Sequence, residues 1–155
     1  MIRSLGNGYE LDDDPGRLDR AAIHAYLGGV SYWGMGRTRE RQDELIEGSD
    51  HVVGLYKDGA QVGFARAVDC GAAGFVYLAD VYVLDAHRGG GLGVELVREI
   101  VERGPYAERR WVLHTRDAHT LYEKLGFGPN ARLMERPSAR DPDASAGGAP
   151  TGAAE

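Results

Sequence analysis

Residues 74–103 constrain this chain more than any other stretch. Residues 74–84 (GFVYLADVYVL) are dense in β-branched and aromatic side chains and read as a strand. Residues 92–103 (LGVELVREIVER) carry apolar side chains at Leu92, Leu96, Val97, Ile100 and Val101, one face of an amphipathic helix. Between them lie His87 and Arg88, then Gly89, Gly90, Gly91, Leu92 and Gly93. A strand that enters a helix through glycines leaves the helix's first N–H groups without intrahelical partners. The helix dipole adds partial positive charge at the same point. Glycine admits positive φ and close approach of an anion to the backbone, and Arg88 adds a guanidinium. The turn therefore reads either as a phosphate site or as an ordinary glycine-rich connection. No Gly-Lys-Ser/Thr follows, which excludes a Walker loop, and the spacing is not that of a dinucleotide fingerprint.

The flanking sequence alternates between helical and strand periods. Residues 18–27 present a helical face stopped by Gly28 and Gly29. Residues 38–47 form a second, more polar helix, with Thr38 as N-cap and Gly48 at its end. Residues 51–57 and 61–68 read as strands joined by a hairpin through Asp58-Gly59. Residues 110–113 read as a strand, 118–125 as a short helix stopped by Gly126, and 132–134 as a last short strand. A strand around Tyr9 and Leu11 is left open. This order describes an α/β domain with a mixed sheet, an antiparallel meander feeding a β-α-β-α half. Residues 138–155 hold no large apolar side chain and read as a disordered tail, which leaves one domain at 1–137.

At 155 residues the chain is the size of one domain that needs no metal or disulfide to fold. A net charge of -6 argues against a nucleic-acid backbone as partner. Cys70 is the single cysteine, so no intrachain disulfide forms. The residues after Met1 have no apolar signal core, and no stretch is long enough to span a bilayer. A cytoplasmic protein without a membrane partner is expected.

Two blocks resemble a known family. Arg88-Gly89-Gly90-Gly91-Leu92-Gly93 resembles the R/Q-x-x-G-x-G/A pyrophosphate loop of GNAT N-acetyltransferases, and residues 80–84 resemble the fourth strand that precedes it there. Residues 115–127 (TRDAHTLYEKLGF) resemble that family's A-x-x-L-Y-E-K-L-G-F ending. The resemblance is specific from Phe75 to Phe127. It implies the acyl-coenzyme A N-acyltransferase fold: a central, mostly antiparallel sheet, splayed between the family's fourth and fifth strands and flanked by helices. One departure stands out, since Thr115 occupies a place where many family members carry Asn.

The resemblance also implies a mechanism. Acetyl-coenzyme A is the acyl donor and no metal is used. Its pantetheine arm pairs with the backbone of Val81, Tyr82 and Val83. Its pyrophosphate rests on Gly89, Gly90, Gly91, Leu92 and Gly93 beside Arg88, with Thr115 near the arm. The acceptor is a small-molecule or peptide amine that attacks the thioester directly, and a homodimer is left open. Tyr122 stands where the family places the acid that protonates the leaving thiolate; the alternative is a packing aromatic. Asp80 is a candidate base, or else a salt-bridged carboxylate. His114 and His119 are further candidates for the base. Tyr32 and Trp33, in the loop between the first two helices, suit a pocket wall over the acceptor or a core plug. Arg37 in the same loop either pairs with an acidic acceptor or is solvated. The competing reading is an acyl-coenzyme A-binding module that transfers nothing.

Overall fold

The structure is a computed structural model that describes residues 1–140. The tail expected from Ser138 onward lies, beyond Arg140, outside the described residues. The chain runs β1 (Ile2–Gly6), β2 (Tyr9–Asp12), α1 (Arg20–Gly29), α2 (Arg39–Glu47), β3 (His51–Lys57), β4 (Ala60–Cys70), β5 (Phe75–Val83), α3 (Leu92–Glu102), β6 (Trp111–Val112) and α4 (His119–Glu123). The six strands form one sheet in chain order. Every neighbouring pair is antiparallel except β5 and β6, which are parallel. This is the mixed α/β architecture that the sequence implies.

Local chemistry accounts for the turns and caps. Asp58 and Gly59 adopt φ of 48° and 85°, the mirror-image turn that a tight hairpin requires. Asn7 and Gly8 do the same at 52° and 77° and close the β1–β2 hairpin. Asp19 accepts from the N–H of Ala22 at 2.9 Å and starts α1 two residues later than the apolar pattern suggests. Thr38 caps α2 as expected, accepting from Arg41 N at 3.1 Å. Residues 132–134 form no strand. Leu133 and Met134 are 54% and 95% exposed, and the last strand, β6, is only two residues long.

The sheet is covered on both faces, which is why its central strands read as near-continuous apolar runs. Side chains alternate along a strand. Val53 and Ala65 pack with Leu96, Val97 and Ile100 of α3. Their neighbours Val52 and Phe64 pack on the other face with Ile23 and Leu27 of α1 and Ile46 of α2. Gly91 ends the glycine turn and α3 begins at Leu92, so the buried stripe of α3 fixes where its N-terminus points.

One irregularity positions everything that follows. Phe64 pairs with Tyr82 and Arg66 with Ala79, so Ala65 alone faces both Asp80 and Val81. This is a β-bulge on β5, and Asp80 sits in it at φ +53°. Parallel pairing with β6 is confined to Val76–Trp111 and Tyr77–Val112. From Leu78 onward β5 has no strand on that side among the described residues. The sheet splays there.

Because α3 anchors the larger core cluster, Leu96→Ala is expected to lower stability by about 2–5 kcal/mol in urea denaturation. Leu133→Ala, at an exposed position, is expected to change it by less than about 0.5 kcal/mol.

Candidate active site

The splay opens a cleft of about 1440 Å³. One wall is the free edge of β5 at residues 78–83, and the other is the segment from His114 to Tyr122. The glycine turn and the start of α3 close one end, and the α1–α2 loop covers the other. That volume exceeds the roughly 300–1,000 Å³ of a drug-sized pocket.

The glycine end is built from backbone. Gly89 and Gly91 adopt φ of 90° and 78°, which an L side chain rarely tolerates. Gly91 is the N-cap of α3, and no side chain caps that helix. Its first N–H groups therefore face the cleft together with the positive end of the dipole. A Cβ at Gly93 would meet Leu121 Cδ1 at 2.9 Å, so glycine there also lets α4 pack on α3. Leu92 is half-buried against the core. Arg88 reaches back along the turn. Its Nε donates to the Val83 carbonyl at 2.9 Å, its Nη2 donates to the Tyr26 hydroxyl at 2.7 Å, and Asp85 pairs with its Nη1. Tyr26 in turn stacks on Tyr82 at 4.1 Å. The sequence did not reveal that Arg88 ties the turn to the end of β5.

The opposite end is crowded with charge. Asp80 is buried and accepts from Trp33 Nε1 at 3.0 Å, Arg37 Nη1 at 2.9 Å and Arg66 Nε at 2.6 Å. Burial alone would push its carboxyl up, but the Arg66 and Arg37 guanidiniums outweigh that and hold it below the usual carboxylate range. Of the two roles open to Asp80, its geometry matches the salt-bridged one. Trp33 is 41% exposed and is tied to the bulge, not plugged into the core. Tyr32 spans the cleft: its hydroxyl accepts from Arg116 N at 3.1 Å, and the Arg116 guanidinium lies 3.7 Å over its ring.

Tyr122 is buried on the far wall, edge-on to Phe127 at 5.8 Å. Its hydroxyl has no hydrogen-bond partner among the described residues, and burial pushes its pKa up to about 12. Thr115 accepts from Ala118 N at 3.0 Å and so shapes the turn into α4. Beside Thr115 stands a triad that the sequence did not assemble. The Tyr77 hydroxyl lies 2.6 Å from His114 Nδ1, and His114 Nε2 lies 3.4 Å from Glu135. All three line the cleft. His114 was visible as a histidine ending a strand, whereas Glu135 sits in a segment without periodicity and gave no signal. Arg66 had one, as a charge inside an otherwise apolar strand. His119 is exposed and is absent from the cleft lining.

Comparison with known proteins follows the same geometry. A family model described as "Acetyltransferase (GNAT) domain" matches residues 48–129, which include both the glycine turn and Tyr122. A crystal structure from Xanthomonas campestris pv. campestris, described as belonging to the GNAT family, is 35% identical, with a TM-score of 0.75 over 84% of this chain and 93% of that one. A Gibberella zeae protein named "Putative acetyltransferase" is 28% identical over 85% of this chain and 92% of its own length. A GCN5-related N-acetyltransferase from Ralstonia eutropha shares the fold at 19% identity, with a TM-score of 0.64 over 85% and 99% of the two chains.

The lowered carboxyl of Asp80 makes a stability prediction. Because its folded value lies below the unfolded one, its contribution is present above the unfolded value of about 3.9 and is lost as pH falls through the folded value. Asp80→Asn is expected to cost about 3–5 kcal/mol at neutral pH, because it strands two guanidiniums. In urea melts the gap between wild type and variant should narrow once the pH drops below about 4.

Proposed function

The chain belongs to the GNAT acetyltransferase family, and from that premise we propose that it is an acetyl-coenzyme A-dependent N-acetyltransferase acting on a primary amine by direct attack. The observation that carries this reading is the free edge of β5 running into the uncapped N-terminus of α3. An extended amide-bearing arm finds a strand edge there, and a pyrophosphate finds backbone donors at the end of that edge. The residues fit such a donor: no side chain projects from Gly89, Gly90 or Gly91, and a Cβ at any of them would point into open space.

Acetyl-coenzyme A supplies an activated acyl carbon and a thiolate leaving group. Val81, Tyr82 and Val83 offer the strand edge, with the Val83 carbonyl already taken by Arg88. Residues 89–93 and Arg88 hold the phosphates, and Thr115 shapes the turn beside the arm. Tyr122 gives its proton to the departing sulfur. With its pKa near 12 it is protonated throughout the assay range, and its hydroxyl is not committed elsewhere among the described residues.

The acceptor ammonium must lose a proton before it attacks. Asp80 is poorly suited as the base, because three donors occupy its oxygens. The Tyr77–His114–Glu135 triad is better placed. The amine passes its proton to the Tyr77 oxygen as the Tyr77 hydroxyl passes its own to His114 Nδ1. Glu135, 3.4 Å from Nε2, places a negative charge beside the imidazolium that results. The reaction needs a pool of acetyl-coenzyme A, in keeping with a cytoplasmic location.

Calorimetry is expected to show coenzyme A binding far more tightly than NAD or ATP, and Gly91→Val should abolish that binding while the fold survives. Equal affinity for all three ligands would reduce the turn to a generic phosphate site.

With an acceptor found from a panel of amines, Tyr122→Phe should lower kcat by roughly one to three orders of magnitude, and His114→Ala by roughly two to four. The fall should lie in kcat with the affinity for coenzyme A intact. Tight binding of coenzyme A without thiol release on any amine would favour a non-catalytic binding module.

A further inference from the structure

Arg37, Arg66 and Asp80 bring two cations and one anion together at the acceptor end of the cleft. Asp80 is 6% exposed and Arg66 9%. One Asp80 oxygen, Oδ2, accepts from both guanidiniums, and the other accepts from the Trp33 indole. The carboxylate is therefore saturated, yet it balances a single charge. Among the described residues neither arginine has another acidic partner. One net positive charge is left beside the cleft, on two side chains that are largely buried, an arrangement that favours the arrival of a counter-charge.

The donors are as unbalanced as the charge. Arg66 uses Nε alone, so its Nη1 and Nη2 have no partner among the described residues. Arg37 uses Nη1 on Gln42 and Asp80, and its Nε and Nη2 have none. None of these four nitrogens is sealed off. Among the described residues, the sealed side-chain atoms without partners are Gln42 Nε2 and Tyr56 Oη. Both arginines line the cleft, and their unused N–H groups are open to solvent.

Register puts this cluster on the same face as the triad. Arg66 pairs with Ala79, and Tyr77 is two residues from Ala79 on the same strand. Residues paired across an antiparallel ladder, and residues two apart along a strand, share a face. An acceptor there has proton-accepting chemistry at one end and unsatisfied cations at the other.

We propose that Arg66 and Arg37 form a subsite for an anionic group on the acceptor, which is therefore a small amine that also carries a carboxylate or a phosphate. This rests on the transferase reading. Either anion accepts charge-assisted hydrogen bonds from the planar guanidinium forks. A neutral amine of the same shape leaves those donors unmet and is discriminated against for that reason.

The test compares matched acceptors on the wild-type protein with acetyl-coenzyme A: amino acids against their amides, and O-phosphoethanolamine against ethanolamine. Binding of the same compounds to the coenzyme A-loaded protein is measured in parallel by calorimetry. The charged member of at least one pair is expected to lead by roughly 10-fold or more in kcat/KM and in affinity. The pair that shows the lead identifies carboxylate or phosphate. Arg37→Gln and Arg66→Lys should each shrink that lead, mainly through KM. If Arg66→Lys fails to fold, Arg37→Gln and the wild-type pairs still decide. Equal handling of charged and neutral members overturns the subsite. Charged members that bind without thiol release on any amine would uphold the subsite and sink the transferase reading, whereas failure of every charged member to bind would sink the subsite.

Discussion

Asp80 holds a backbone conformation that residues with side chains rarely adopt, φ +53°. Strain of that kind costs on the order of 1–3 kcal/mol and persists only where the surroundings insist on it. Here they do. Arg66 reaches Asp80 from the adjacent strand, and Arg37 and Trp33 reach it from the loop above. The bulge makes two residues of β5 face one of β4, which bends the strand. Pairing with β6 ends after Tyr77, and the cleft begins where pairing stops. The carboxylate thus sits on the free strand edge and ties to it, through Trp33 and Arg37, the loop that covers the cleft.

The other end of the cleft owes its rigidity to the core. Leu96, Val97 and Ile100 are fully buried, so α3 cannot rotate or slide without breaking the larger cluster. Its exposed first turn is thereby aimed at a fixed point. Arg88 adds a second constraint by joining the turn to the Val83 carbonyl and to Tyr26. Backbone donors on a helix held in this way need little reorganisation to meet an anion, and that kind of preorganisation is what an electrostatic site requires.

Between these ends the chemistry divides by environment. Tyr122 sits in a buried wall where its proton is held tightly. Tyr77, also half-buried, is raised by its burial but shares its hydroxyl with His114. In the mechanism proposed above, this difference in surroundings assigns the two phenols opposite tasks, one as a donor and one as the entry to a proton-accepting chain.

Much of this was legible from residue order alone. Helix caps at Thr38, the Asp58-Gly59 hairpin, the amphipathic stripe of α3 and the glycine turn are local, because caps, turns and periodicity depend on residues a few positions apart. The resemblance of residues 88–93 and 115–127 to one family rested on the same kind of short-range pattern. The β1–β2 hairpin carries a local signal of its own in Asn7-Gly8. The expected strand at 132–134 failed because a strand needs a partner edge, which no local pattern guarantees. Only the tertiary structure decided who faces whom. Asp80 meets Arg66, Arg37 and Trp33 across 14, 43 and 47 residues, and Tyr77 meets His114 across 37. Whether Asp80 is a base or a clamp depends on those neighbours, and they are set by strand register and a one-residue bulge. A shift of a single residue in register would turn the same side chains to the opposite face.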